Sequence, residues 1–123
     1  MILRDNLYKI LSRETIAEKE SFIIVLNPSC LIYAAHFPSM PITPGVCIIQ
    51  MVEELLGELT KSSQQLIKIK NAKFLSVLKP DEQKVIVTFS PLREENGIFS
   101  SQAIISDSNN NVYAKVSLQT ITA

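Results

Sequence analysis

The chain's one histidine, His36, stands in the stretch HFPSMPITPGVCIIQMVEEL (36–55), just ahead of a proline-stiffened turn and an apolar helix. An imidazole takes up and releases protons near neutral pH, so this residue type suits acid–base chemistry. Pro44-Gly45-Val46 opens the helix, and the first N–H groups of a helix have no intrahelical partner and can face developing negative charge. Within Val46 to Val52, Gln50 is the only polar side chain, and an amide in such a run needs a hydrogen-bonding reason. Glu54 follows one turn later. The cysteines, Cys30 and Cys47, sit in apolar surroundings and read as small buried hydrophobes of a reducing compartment.

The elements that must position these groups belong to one domain spanning 1–123, long enough to bury a core without disulfides or metal. Hydrophobic residues make up 46% and charged residues 20%, and 12 basic residues cancel 12 acidic ones. That balance lacks the footprint of a nucleic-acid binder. The longest apolar runs, FIIVL (22–26) and CLIYAA (30–35), fall far short of the ~18 residues that a membrane span needs. In MILRDNLYKILSR, charges interrupt the apolar residues, so the segment reads as a short amphipathic helix and not as a secretory signal. A cytoplasmic protein with no membrane association is the expectation.

Ile2, Leu3, Leu7, Ile10 and Leu11 set that N-terminal helix by their spacing. FIIVL is a strand stopped by Asn27-Pro28, and CLIYAA reads as an extended segment leading into His36. The central helix is expected over about 44–62, with Thr43 as N-cap and Pro44 in its first position. Its first half is apolar nearly all round, which predicts enclosure by the rest of the domain. Residues 66–78, 84–89, 97–106 and 111–122 read as strands joined by short turns, hence an antiparallel meander. In the last strand Val112, Ala114, Val116 and Leu118 share one face. The sum is an α+β domain whose antiparallel sheet wraps around a long central helix.

The quoted stretch resembles the active-site segment of the 3-hydroxyacyl-(acyl-carrier-protein) dehydratases of hot-dog fold. It carries the resemblance in His36-Phe37-Pro38, Pro41 and Pro44-Gly45-Val46, and KFLSVLKPDE (73–82) is a looser second echo. The close match covers about a sixth of the chain. The resemblance implies elimination of water from a 3-hydroxyacyl thioester, giving a trans-2-enoyl thioester. His36 would be the base for the C2 proton, and the N–H groups of Gly45 and Val46 would stabilise charge on the thioester oxygen. Phe37, Pro44, Gly45, Val46 and Gln50 are the implied substrate-binding positions. No metal and no organic cofactor is implied. The implied partners are an acyl carrier protein bearing 3-hydroxyacyl chains and a second copy of the chain, since the family's site combines the histidine of one subunit with the helix of the other.

One position departs from the pattern. The family's general acid is a Glu or Asp six residues after the Pro of Pro-Gly, and here that residue is Gln50, which cannot donate a proton as a carboxylic acid does. Glu54 lies one turn on, about 6 Å along the helix, where these enzymes often carry a Gln. Three possibilities stay open: Glu54 is a displaced catalytic acid, His36 handles both proton transfers, or the site no longer dehydrates. A thioesterase on the same fold and a non-catalytic acyl-binding subunit of a mixed dimer are the rival readings. Plainer roles compete throughout. Glu53, Glu54 and Glu58 also fit a solvated helix face, and Gln50 fits a buried amide bonded to backbone across a subunit contact. Lys68, Lys70, Lys73, Lys79 and Arg93 could receive an acidic carrier, yet Lys68 and Lys70 alternate with Ile67 and Ile69 as in any half-exposed strand. Tyr33, Phe37 and Met51 fit either an acyl tunnel or the core.

Overall fold

A computed structural model describes every residue except Glu82, so the last position of the KFLSVLKPDE echo lies outside the described residues. The chain runs β1 (Tyr8–Ile16), β2 (Lys19–Leu26), α1 (Leu31–Ala35), α2 (Gly45–Thr60), β3 (Gln64–Phe74), β4 (Lys84–Phe89), β5 (Arg93–Glu95), β6 (Ile98–Ser106) and β7 (Val112–Thr122). The strands form one 7-stranded antiparallel sheet in the order β1-β2-β4-β6-β7-β3, with β5 paired to β6. The sheet packs against α2, the α+β hot-dog arrangement expected.

Alternation drives the burial. Ala114, Val116 and Leu118 of β7, Val85, Val87 and Phe89 of β4, and Phe22, Ile24 and Leu26 of β2 point into the core. From α2 they meet Cys47, Ile48, Met51, Val52, Leu55 and Leu56, a stripe at helical spacing. Fully burying side chains of this size contributes roughly 1.5–3 kcal/mol each. The helix has 16 residues, somewhat shorter than the sequence suggested, and ends at Lys61 in a left-handed conformation.

Four expectations need correction. The N-terminal segment is no helix. It makes a single turn, in which the Leu7 N–H donates to the Leu3 carbonyl at 2.7 Å, and then enters β1. Leu3 and Leu7 are buried by that turn and Tyr8 by the strand. Register shifts between Ile10 and Ser12, leaving Leu11 exposed in a bulge. Turn, strand and bulge together mimic helical spacing. Conversely, residues 31–35 of CLIYAA form the helix α1, which buries Tyr33.

The third concerns topology. Strands β4, β6 and β7 form the meander, but β3 lies at the far edge against β7 and not beside β4. After Phe74 the chain passes the N-terminal end of α2, where Leu78 is buried and its carbonyl accepts from the Thr43 N–H at 2.9 Å. The fourth concerns enclosure. Val46 is 75% exposed and Ile49 and Gln50 are half-buried, so the start of α2 is open on one face.

The β1–β2 hairpin closes through two residues, Ala17 and Glu18, with φ of 51° and 66°. Paired positive φ values are those of a type I′ turn, which favours Asn-Gly, and each side chain here carries a steric cost. Replacing Ala17-Glu18 by Asn-Gly is expected to raise unfolding stability by about 1 kcal/mol. Urea denaturation checks this, and an unchanged midpoint would refute the turn assignment.

Candidate active site

His36 is held from both sides. It caps α1 at the C-terminus, its N–H donating to the Ile32 carbonyl at 3.0 Å, while its own carbonyl accepts from the Ile42 N–H at 2.9 Å. Within that loop the Met40 N–H donates to the Phe37 carbonyl at 3.1 Å. Below it, the Tyr33 hydroxyl and Thr43 Oγ1 share a buried hydrogen bond of 2.8 Å. This bond joins α1 to the residue before Pro44, and so ties the helix that leads into His36 to the start of α2. Thr43 is therefore not the N-cap. Pro44 occupies that position, and no side chain caps the helix.

The uncapped end leaves donors free. Cys47 and Ile48 N–H both reach the Pro44 carbonyl, at 3.0 and 3.2 Å, but among the described residues nothing accepts from Gly45 or Val46 N–H. Gly45 also has a packing reason: a Cβ there would come within 2.8 Å of the Phe74 ring. Pro44 and Gly45 border an apolar cavity of about 490 Å³ with Ile42, Ile48, Phe74 and Leu78. On the open face of α2, Val46, Ile49, Gln50 and Glu53 line a second one of about 270 Å³ with Leu66 and Ile69 of β3.

Glu54 is half-buried and fully engaged in hydrogen bonds. Its Oε2 accepts from the Leu3 N–H at 2.8 Å and from Gln50 Nε2 at 3.0 Å. Its Oε1 accepts from the Arg4 N–H and from the Tyr8 hydroxyl, both at 2.9 Å. Gln50 Nε2 also donates to the Met1 carbonyl, and Arg4 pairs with Glu58. Burial first, then the neighbouring Glu54 charge, pushes the Tyr8 hydroxyl pKa upward, so Tyr8 stays a donor. Glu53 is committed too, its Oε2 accepting from the Leu66 N–H at 2.7 Å. The solvated-face reading of these acids is thus corrected for Glu53 and Glu54.

Within one protomer the predicted residues form two groups. Pro44, at the N-cap, and Gly45, Val46, Gln50 and Glu54, within the helix, all belong to α2 and its start, whereas His36 and Phe37 lie on the exposed loop after α1 and border none of the cavities described. Tyr33 and Met51 are core. Leu3, Arg4 and Tyr8 were missed as neighbours of the site. They meet Glu54 across 46 to 51 residues of sequence, a distance that no local pattern reveals. Among the described residues, no group of His, Cys, Asp and Glu is placed to hold a metal ion, and no helix is long and apolar enough to cross a membrane.

Residues 12–115 match the family described as ApeI-like, ApeI dehydratase. The chain belongs to that dehydratase family. A curated relative, the 3-hydroxyacyl-[acyl-carrier-protein] dehydratase FabZ of Lactiplantibacillus plantarum, is 31% identical over 120 residues, covering 87% of this chain and 82% of the relative. Among solved structures, the dehydratase heterocomplex ApeI:P of Xenorhabdus doucetiae superposes with a TM-score of 0.72 at 18% identity, over 92% of this chain and 96% of that one. A hypothetical thioesterase protein of Streptococcus pneumoniae, solved with coenzyme A, gives 0.65 at 7% identity over 94% and 85%. At such identities the likeness establishes the hot-dog fold alone. The ApeI-like family assignment covers the α1–α2 segment and the strands from within β1 to the start of β7.

The bond that ties His36 to α2 carries a pH signature. Burial, partly offset by the hydrogen bond to Thr43, pushes the Tyr33 hydroxyl up to about 12 from its ordinary 10.0. A raised pKa means that the fold favours the neutral phenol, so this contribution is whole below pH 10.0 and is lost as pH climbs towards about 12. Urea titrations across that window should show stability falling. Tyr33→Phe should fall less steeply while Tyr8 keeps part of the slope, and identical slopes would rule Tyr33 out as the titrating group.

Proposed function

We propose that this protein dehydrates 3-hydroxyacyl chains carried as thioesters on an acyl carrier protein, in fatty-acid or related lipid or polyene synthesis. The observation that carries the reading is the free pair of N–H donors at Gly45 and Val46, inside the His-Phe-Pro…Pro-Gly-Val segment of a dehydratase-family chain. The thioester oxygen would accept from this pair, which acidifies the C2 proton. His36 takes that proton, the C2–H electron pair becomes the C2=C3 double bond, and the C3–O bond breaks. The hydroxyl leaves as water with a proton returned from the His36 imidazolium. The donors already surrounding Glu54 support a holding role for it over that of a displaced acid.

His36 and Gln50 would meet across a pair of protomers. Supporting this, β3 is an edge strand with Ile67 and Ile69 exposed, beside the exposed Val46. Apolar edges of this kind invite a partner strand. In sedimentation, the protein should run as a dimer or a multiple of it, and Ile69→Asp should shift it to the monomer with loss of turnover. A monomeric parent would overturn the pairing.

A second reading, an acyl-binding subunit of a mixed pair, is favoured by Gln50 in the acid's place. One assay separates the readings. Incubation with 3-hydroxyacyl and plain acyl thioesters should yield a conjugated enoyl product from the former, whereas free thiol would indicate hydrolysis. Binding without turnover until a homologous dehydratase is added would indicate the mixed pair. His36→Ala should lower dehydration at least about 100-fold with the fold intact. Gln50→Glu sets two carboxyls side by side, which favours one shared proton and supplies an acid, so the rate should rise at least about tenfold. Undiminished turnover in His36→Ala would remove the imidazole from the mechanism.

A further inference from the structure

We propose that Glu54 is a positioning residue acting through Gln50: it fixes the amide nitrogen inward, so that Gln50 Oε1 is presented as an acceptor for the substrate's 3-hydroxyl. The inference rests on the dehydratase reading for its substrate. Two atoms flank the Gln50 amide nitrogen, the Met1 carbonyl oxygen and Glu54 Oε2, the latter at 3.0 Å. A carbonyl and a carboxylate only accept, so only the NH₂ end of the amide can face them. Both of its hydrogens are then used. The amide oxygen has no partner among the described residues, and Gln50 borders both the polar groove beside Arg4 and Glu58 and the apolar cavity of Val46, Ile49, Leu66 and Ile69.

Glu54 is itself immobile. Leu3 N–H, Arg4 N–H and the Tyr8 hydroxyl hold its two oxygens, and the segment carrying those donors is pinned by buried Leu3 and Leu7. An untethered amide would flip and offer nitrogen or oxygen indifferently. A fixed one discriminates: a chain with a donor at C3 gains a bond, one with hydrogen there gains none, and a 3-keto oxygen is set against another acceptor. The order of preference is therefore 3-hydroxy, then saturated, then 3-keto.

The test uses the full chain and the pantetheine amides of 3-hydroxybutyrate, butyrate and 3-ketobutyrate, in which nitrogen replaces the thioester sulfur, so that C2 of the 3-hydroxy and saturated ligands is less acidic than in the thioester. Calorimetric binding should favour 3-hydroxybutyryl over butyryl by about three- to tenfold, as one hydrogen bond gives. Gln50→Met should abolish the preference. Glu54→Ala should abolish it as well and change nothing further in the Gln50→Met background, whereas Tyr8→Phe, which spares the Gln50 contact, should retain it. Should Glu54→Ala fail to fold, Glu54→Met serves, which keeps the side-chain length without a carbonyl or carboxylate acceptor, with the same loss of preference expected. Equal binding of the three ligands by the parent protein, or a preference surviving removal of the carboxylate, overturns the proposal. Enoyl formation from a 3-hydroxyacyl thioester is read separately. Turnover without the preference sinks this inference alone, and a Glu54-dependent preference without turnover supports it while sinking the dehydratase reading.

Discussion

Packing Ile48, Met51, Val52, Leu55 and Leu56 of α2 into the concave face of the sheet fixes the axis of the helix, and every group of the candidate site takes its position from that axis. Interiors are close-packed, so a helix seated by five large side chains neither slides nor rotates without opening voids. The N-terminal end of α2 then lies where Leu78 and Thr43 lock it to the passing chain. The bond between Tyr33 and Thr43 carries the same fixity to α1 and to His36. The backbone that carries His36 is thus tied to the core through two hydrogen bonds.

The same packing explains what the helix does not bury. The sheet covers the stripe Cys47 to Leu56 and leaves Val46, Ile49 and Gln50 on the other side, next to an edge strand with isoleucines outward. Hydrophobic residues on all sides of α2 were legible in the sequence; that the domain supplies only half of the cover was not. Composition reports how much apolar surface a helix carries, never whether a chain's own sheet or another molecule removes it from water.

Legibility followed locality elsewhere too. The alternation of β7, the β4 limits and the His36–Val46 motif were plain because each rests on neighbouring residues. The N-terminal segment misled because a turn, a strand and a bulge together imitate helical spacing, and pairing with β2 outweighs the helical pattern of a short segment. CLIYAA misled in reverse, since burial of one Tyr33 face decides its fold. Thr43 looks like an N-cap by type and place, yet its hydroxyl is engaged by a buried phenol. The β3 crossover and the donors around Glu54 depend on contacts far along the chain, which no window of sequence contains.

The exchange of amide and carboxylate along α2 has a physical consequence beyond the loss of an acid. An amide at position 50 can give its two hydrogens to Glu54 and to the Met1 carbonyl, so the carboxylate gains a donor that an ionised carboxylate in that place would not supply. A carboxylate at both positions would instead set like charges within hydrogen-bond distance, and one would have to keep a proton. Gln50 and Glu54 therefore form a unit in which the charge is directed at the N-terminal segment and the neutral group faces the open side of α2. That arrangement stabilises the fold around the first residues of the chain. In the proposed reaction, proton delivery would then fall to the imidazole of His36.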